Sequence, residues 1–208
     1  MCIRDSSKSP FQVGVPSGEN VTLIGENFLA EGKVQLELRH TTSNDNKVLL
    51  PDKITSGEVS FTIDDSIQPG IWMLTMVFAK EKVENGTTIG QRSVSNVIPL
   101  AVLPIIMTDG DLVAENDDPN FKLELSCRPK LKKGQFVEVF IGSTQVSGFS
   151  LTTDTTTVTA TWSNSVKWIE GEPKFAKLRV DGVDSLVFDP QKPELGFNQR
   201  LVVGGLPE

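Results

Sequence analysis

The chain has 208 residues, of which 38% are hydrophobic and 23% are charged. This balance is typical of a folded protein, and the length allows one large or two small domains. The net charge of −7 repels phosphate backbones and anionic lipid, which argues against nucleic acid and membranes as partners. No apolar stretch reaches the roughly 18 residues of a membrane-spanning helix.

The first residues are predicted to lie outside the fold. Residues 1–9 are expected to form a disordered tail, and residues 1–6 (Met-Cys-Ile-Arg-Asp-Ser) resemble a translated sequencing adapter rather than natural protein. On this interpretation the chain is the C-terminal part of a longer protein. No apolar segment of the signal-peptide type is visible at the N-terminus.

Residues 10–103 are predicted to form one β-sandwich. The runs 33–39 and 58–64 alternate apolar and polar residues, as a strand with one buried face does. The run 71–78 is apolar almost throughout, which predicts a central strand covered on both faces. The boundary is expected at Leu103 and Pro104, because proline cannot donate to a sheet ladder.

Residues 104–206 repeat this pattern and are predicted to form a second sandwich. The run 136–141 alternates, and the run 155–162 is rich in β-branched residues, which favour strands over helices. Each half has the size of one immunoglobulin-like domain of about 100 residues. The sequence therefore predicts an all-β chain of two tandem immunoglobulin-like β-sandwiches.

Two dipeptides are typical of hairpin turns, and both are our candidate protein-contact sites. Asn85 and Gly86 are predicted to form the tip of one hairpin, and Asp181 and Gly182 the tip of another. The expectation of contact rests on their exposure at turns of otherwise packed units.

Catalytic chemistry is not predicted. His40 is the one histidine, and it precedes a polar loop, so it is interpreted as a solvated loop residue. Cys127 is interpreted as a small buried or half-buried hydrophobic residue. The only other cysteine, Cys2, lies in the excluded residues 1–6, so Cys127 has no second cysteine to act with. Without a second histidine either, no zinc site, no cofactor and no enzymatic activity are expected.

Two further groups of residues have alternative interpretations. The acidic stretch Asp109–Asp118 is interpreted as a solvated loop, although oxygen-rich loops can bind calcium and the sequence leaves that question open. Trp162 and Trp168 are interpreted as core residues. If they were exposed, they could stack on sugar rings.

The first half resembles the IPT/TIG-type immunoglobulin-like domains. The resemblance is carried by residues 17–28 (Ser-Gly-Glu-Asn-Val-Thr-Leu-Ile-Gly-Glu-Asn-Phe), by residues 67–72 (Ile-Gln-Pro-Gly-Ile-Trp) and by the closing segment 95–104 (Ser-Asn-Val-Ile-Pro-Leu-Ala-Val-Leu-Pro). This resemblance implies a β-sandwich and no catalytic residues.

The order of parts across the chain, with residues 178–185 (Leu-Arg-Val-Asp-Gly-Val-Asp-Ser), resembles the C-terminal region of tail-terminator (cap) proteins of extracellular contractile injection systems. These are phage-tail-like particles. The resemblance implies a structural role, an N-terminal α/β domain upstream of residue 1, and tail tube, sheath or neighbouring cap subunits as partners. A homo-hexamer is implied for the full-length protein alone. The implied location is the cytoplasm during assembly and then the particle.

The alternative function is a ligand- or carbohydrate-binding accessory module of a secreted or cell-surface bacterial protein. It uses the same fold, and it requires exposed aromatic side chains in a planar row. The exposure of Trp162 and Trp168 therefore distinguishes the two interpretations.

Overall fold

The computed structural model describes residues 3–5, 14–26, 28, 33–84, 87–108, 112–117, 119–163, 175–185 and 201–203. Regular structure in these residues is β-strand throughout, and no helix long and apolar enough to cross a membrane occurs among them. The chain divides into two compact units, Met1–Val102 and Leu103–Glu208. The predicted all-β fold class is confirmed.

The first unit is a two-sheet β-sandwich. Its strands are β1 (Ile3–Asp5), β2 (Val15–Pro16), β3 (Asn20–Gly25), β4 (Lys33–His40), β5 (Asn46–Leu49), β6 (Lys53–Ile54), β7 (Glu58–Thr62), β8 (Gly70–Glu84) and β9 (Thr87–Leu103). One sheet has the order β1-β3-β7-β6 and the other β2-β9-β8-β4-β5. This is the immunoglobulin arrangement, in which strands A, B, E and D face strands C, F and G.

Alternating side chains from both sheets form the core of the first unit. Leu36 and Leu38 of β4 are buried, as are Val59 and Phe61 of β7, and the polar residues between them point away. Trp72 has no exposed surface and is the largest fully buried side chain. The alternation seen in the sequence therefore identifies the core positions of these strands.

Strand β8 differs from its prediction. Trp72 and Leu74 are fully buried, whereas Ile71 and Met73 are 37% and 41% exposed. An antiparallel sheet can pack one face on the core and leave the other in water, and β8 does so over these residues. The prediction of a strand covered on both faces is wrong here.

The N-terminal residues also differ from expectation. Ile3–Asp5 pairs antiparallel with β3, with Ile3 opposite Gly25 and Asp5 opposite Leu23. An unpaired sheet edge offers main-chain donors and acceptors to any extended segment, whatever its side chains. The other residues of the predicted tail lie outside the described residues, and the adapter origin of residues 1–6 stays a prediction.

The second unit is also a β-sandwich. Its strands are β10 (Ile105–Met107), β11 (Leu112–Asp117), β12 (Asn120–Leu131), β13 (Phe136–Ile141), β14 (Thr144–Ser150), β15 (Thr155–Ser163), β16 (Ala176–Val180), β17 (Val183–Asp184) and β18 (Leu201–Val203). Strand β12 pairs with β10, β11 and β15, and β11 pairs in parallel with β18. The other sheet has the order β14-β13-β16-β17. Side chains from both sheets share one hydrophobic core.

Candidate functional site

An exposed apolar surface lies on the outer face of the sheet β2-β9-β8-β4-β5. Val48, Met73 and Val97 are 59%, 41% and 56% exposed, and Ile71 lies on the same side of β8 as Met73. Together with Thr75 we call these residues the apolar face. Isolated exposed apolar residues are ordinary, so the grouping of several on one face makes this surface the candidate site.

Strand register brings the apolar face together. Val48 lies opposite Glu37, Glu37 opposite Thr75, and Thr75 opposite Val97, so one row crosses four strands. Three interstrand steps of about 4.8 Å give this row a length of about 14 Å. A groove of about 710 Å³ lies here, and it is lined by residues of β4, β5, β8 and β9, with Thr41 beyond the end of β4.

The charge of this sheet is opposite to that of the chain. Residues 33–40, 46–49, 70–80 and 90–103 include one carboxylate, Glu37, and a larger set of cations: Lys33, Arg39, Lys47, Lys80 and Arg92. The guanidinium of Arg92 reaches across β8 and donates to both carboxylate oxygens of Glu37, at 2.7 and 2.8 Å. Arg39 lines the groove on the outward side and forms no ion pair with another described residue. Lys47 lies opposite the buried Leu38, so its side chain is on the other side of the sheet.

His40 lies at the end of the groove and is 1% exposed, so its prediction as a solvated residue is wrong. The main-chain N–H of Ser43 donates to Nδ1 at 3.1 Å, which assigns the proton to Nε2, and Nε2 then donates to the carbonyl of Pro69 at 3.2 Å. Burial is possible because the backbone satisfies both ring nitrogens.

The histidine ring fits only because residue 70 is glycine. A Cβ on Gly70 would lie 2.3 Å from His40 Nε2, and the φ of +131° disfavours any other residue. The ring also packs edge-on against Trp72, with centroids 4.8 Å apart. The sequence does not predict this packing, because 29 positions separate His40 from Pro69.

The corresponding outer face of the second unit is charged. Lys177 Nζ and Arg179 Cζ lie 4.7 and 4.8 Å from the centroid of the Phe140 ring, and both side chains donate to the carboxylate of Asp184. We call Glu138, Phe140, Lys177, Arg179 and Asp184 the charged face. Burial acts to raise the pKa of Asp184, but hydrogen bonds from Arg179 and Lys177 outweigh it and hold the pKa below its usual value.

The predicted Asp181–Gly182 turn is present. Both residues have positive φ, 47° and 83°, which is the type I′ geometry of a two-residue hairpin, and β16 and β17 pair on either side. The carboxylate of Asp181 accepts hydrogen bonds from the N–H of Phe136 at 2.9 Å and from Gln135 Nε2 at 3.0 Å. Its side chain therefore stabilises the start of β13, and a role of this turn in protein contact stays a prediction.

The other predicted turn falls between two long paired strands. Strands β8 and β9 pair antiparallel up to Glu84 opposite Thr87, as expected for a hairpin between them. Asn85 and Gly86 themselves lie outside the described residues. Their role in protein contact also stays a prediction.

Cys127 and Trp162 are core residues, as predicted. Cys127 is 3% exposed, and burial raises the pKa of its thiol to about 11. This thiol is therefore protonated near neutral pH and is a poor nucleophile. Trp162 is 5% exposed and packs against Phe121 at a centroid distance of 5.9 Å. Trp168 lies outside the described residues.

Only part of the acidic stretch Asp109–Asp118 lies among the described residues. Glu115 and Asp117 lie on β11 with exposed side chains, whereas Asp109, Asp111 and Asp118 lie outside the described residues. Within the described part of the chain, no three His, Cys, Asp or Glu side chains are grouped as metal ligands. Calcium binding by this stretch is therefore still an open question.

Sequence reasoning missed the apolar face for a local reason. Two residues of β9, Ser95 and Asn96, bulge opposite Met76, and the hydroxyl of Ser95 accepts from the Met76 N–H at 3.0 Å. The bulge interrupts the alternation, so Val94 and Val97 both remain exposed although their spacing is odd. The signal that could have revealed the apolar face is the presence of apolar residues, Ile71 and Met73, at the outward positions of β8.

Comparisons with known proteins show a domain match for the second half. Residues 104–203 match a family described as a domain of unknown function, DUF8756. No curated protein matches this chain. The sheet order of the first unit and the two packed sheets of each unit place the chain in the class of immunoglobulin-like β-sandwich proteins.

Two solved structures are similar at low identity. A DUF4785 family protein from Legionella pneumophila is 12% identical with a TM-score of 0.35, over 86% of this chain and 52% of that one. The FN1-FN3 domains of chicken CNTN1 are 10% identical with a TM-score of 0.29, over 97% of this chain and 64% of that one. The chain thus spans about half of the first protein and less than two thirds of the second.

Proposed function

We propose that this chain is a non-catalytic module that binds another protein. The observation that carries the proposal is the apolar face, where Val48, Met73 and Val97 stay exposed on a well-packed sheet. Catalysis has little support among the described residues, because His40 is enclosed by backbone groups and the Cys127 thiol is buried. Exposed apolar surface on a sandwich acts through docking rather than through chemistry.

The finer proposal is that the module belongs to a tail-terminator protein of a contractile injection system. It rests on the resemblance of residues 178–185 and of the order of parts along the chain. Under this proposal the partners are the tail tube, the sheath or neighbouring cap subunits, and the full-length protein forms a hexamer. Residues 178–181 end β16 and begin its turn, so the matching residues also have a structural role.

The carbohydrate-binding alternative has less support from Trp162, while Trp168 lies outside the described residues. It needs a row of exposed aromatic side chains, and Trp162 is buried in the core of the second unit. No described residue on the apolar face is aromatic, since Trp72 and Phe78 point into the core of the first unit.

Sequencing the parent locus upstream of the codon for Ser7 tests the finer proposal. We expect the reading frame to continue into an α/β domain, with tube and sheath genes nearby. A frame that continues into a signal peptide or a carbohydrate-active domain would reject the tail-terminator assignment.

A direct binding measurement tests the coarser proposal. The tube, sheath and cap proteins encoded at the locus would be purified and titrated against the full 208-residue chain. Binding that is lost when Met73 and Val97 are changed to serine supports docking through the apolar face. Binding that is unaffected by these changes would place the contact elsewhere on the molecule.

A further inference from the structure

The groove on the apolar face combines solvent-exposed apolar side chains with a cation that has no ion pair among the described residues. Its walls include the exposed apolar side chains of Val48, Met73 and Val97, and Arg39 lines it without an ion pair to another described residue. An unpaired cation beside apolar surface favours a ligand that brings both a carboxylate and an apolar side chain.

From this juxtaposition we infer that the groove binds a short acidic, apolar segment of a partner protein, laid across β5, β4, β8 and β9. The inference rests on the proposed protein-binding function and names its site and the chemistry of the partner. The row from Val48 to Val97 is about 14 Å long, which corresponds to about four extended residues. A carboxylate of the segment pairs with Arg39, and its apolar side chains cover Met73 and Val97.

A second copy of the chain is a poor occupant of this groove. A two-fold contact brings the same patch of both copies together, so Arg39 would face a patch of the same positive charge. The one carboxylate among the described side chains of β4, β5, β8 and β9, Glu37, is already paired with Arg92. Self-association through this face would therefore bring like charges together without compensation.

Nucleic acid and anionic membranes fit less well than a protein segment. The net charge of −7 repels both of them at long range. Binding of single-stranded nucleic acid uses aromatic side chains as stacking platforms, and the described outward residues of this sheet include none. The electrostatic interaction of a short peptide with nearby cations is stronger than its interaction with the distant acidic surface, because salt screens charges beyond about 8 Å.

The test uses the full chain and three labelled synthetic peptides of equal length. One alternates aspartate and leucine, one alternates lysine and leucine, and one alternates aspartate and serine. Binding is followed by fluorescence anisotropy at physiological ionic strength. We expect the aspartate–leucine peptide to bind at least about tenfold more tightly than either of the others. This preference is opposite to the one that the net charge of −7 would produce.

Paired variants locate the binding. Arg39→Glu is expected to lower the affinity for the aspartate–leucine peptide about tenfold or more. Arg128→Glu makes the same change of net charge at an exposed arginine on β12 and is expected to leave binding within about twofold. Met73→Ser removes apolar contact without changing charge and is also expected to weaken binding. Because Arg39, Met73 and Arg128 are exposed, thermal unfolding of each variant serves as the check that the fold persists.

Several results would overturn the inference. These are no binding of the aspartate–leucine peptide at millimolar concentration, equal binding of the lysine–leucine peptide, or equal effects of Arg39→Glu and Arg128→Glu. A dimer that Arg39→Glu disrupts, or competition for the groove by a DNA oligonucleotide or by phosphatidylserine vesicles, would also overturn it. The locus result is independent: a failed titration rejects this groove alone, and a locus without tube and sheath genes leaves a positive titration valid.

Discussion

The apolar face of the first unit and the charged face of the second lie on the outer side of corresponding sheets. They differ in whether the side chains there pair with one another. On the charged face, Lys177 and Arg179 flank Phe140 and share the carboxylate of Asp184. Beside the apolar face, Arg39 has no ion pair with another described residue, and Met73 on the face itself is 41% exposed. A surface whose groups are paired within the molecule offers few free groups to a partner, so the comparison supports the proposal that the first unit is the binding unit.

The largest expected effect concerns the turn beneath the apolar face. Gly70→Ala would place a Cβ 2.3 Å from His40 Nε2 at a φ of +131°, so we expect it to lower the free energy of unfolding by about 4 kcal/mol. Urea denaturation followed by tryptophan fluorescence measures the change, since Trp72 packs on His40.

Gly18→Ala is the matched control for this change. Gly18 has a φ of +91° and nothing within 4 Å of an added Cβ, so strain alone should cost about 1 kcal/mol. Equal losses of unfolding free energy for the two variants would mean that the clash with His40 adds nothing to the destabilisation.

A pair of neighbouring substitutions tests the one-sided burial of β8. Leu74 is fully buried, and Leu74→Ala is expected to cost about 3 kcal/mol, whereas Met73→Ala on the outward side should cost less than about 1 kcal/mol. Thermal and chemical unfolding of the two variants provide the measurement. Similar losses at both positions would mean that both faces of β8 are covered, as the sequence alone predicted.

The charged face predicts a dependence of stability on acid. The pKa of Asp184 is below its usual value, so its contribution to stability is present above the unfolded-state pKa of about 3.9 and is lost as the pH falls through the folded-state pKa. Asp184→Asn should lower stability at neutral pH by about 1 kcal/mol, since the carboxylate is 41% exposed and screened by solvent.

The same variant should flatten the stability profile below about pH 4, as measured by urea denaturation over a pH series. Lys177→Gln in the wild-type and Asp184→Asn backgrounds completes a double-mutant cycle. Additive losses would show that the charged face is not an interacting network.

The smallest expected effect concerns the one carboxylate beside the groove. Glu37→Gln releases Arg92, and we expect stability to fall by about 0.5 kcal/mol because both side chains are exposed. Affinity for the aspartate–leucine peptide should rise about twofold, because Arg92 then joins Arg39 as a cation without an ion pair on this face. Unchanged or weaker binding in the anisotropy assay would argue that Glu37 itself contacts the ligand.

Much of the fold could be predicted from the sequence because its signals are local. Period-two alternation over 33–39 and 136–141 identified strands with one buried side, and these became β4 and β13. The Asp181–Gly182 dipeptide predicted a hairpin, since few residues other than glycine, asparagine and aspartate accept positive φ. Apolar character placed Cys127 and Trp162 in the core.

The candidate site could not be predicted in the same way. Alternation shows that the two sides of a strand differ, but it does not show whether a second layer covers the outer side. The ion pair between Arg92 and Glu37 joins residues 55 positions apart, and the buried position of His40 depends on the backbone of residues 43 and 69. The ion pair and the contact of His40 with Pro69 leave no local signal, although Ser43 lies only three positions from His40.

The sequence by itself therefore determined the strands, the turns and the immunoglobulin-like class, because these depend on the conformational preferences of neighbouring residues. Only the tertiary structure decided that Ile71 and Met73 of β8 stay exposed and that Arg39 has no ion pair with another described residue. Those outcomes depend on strand register and on which distant side chains meet, and sheet pairing in three dimensions is what sets both.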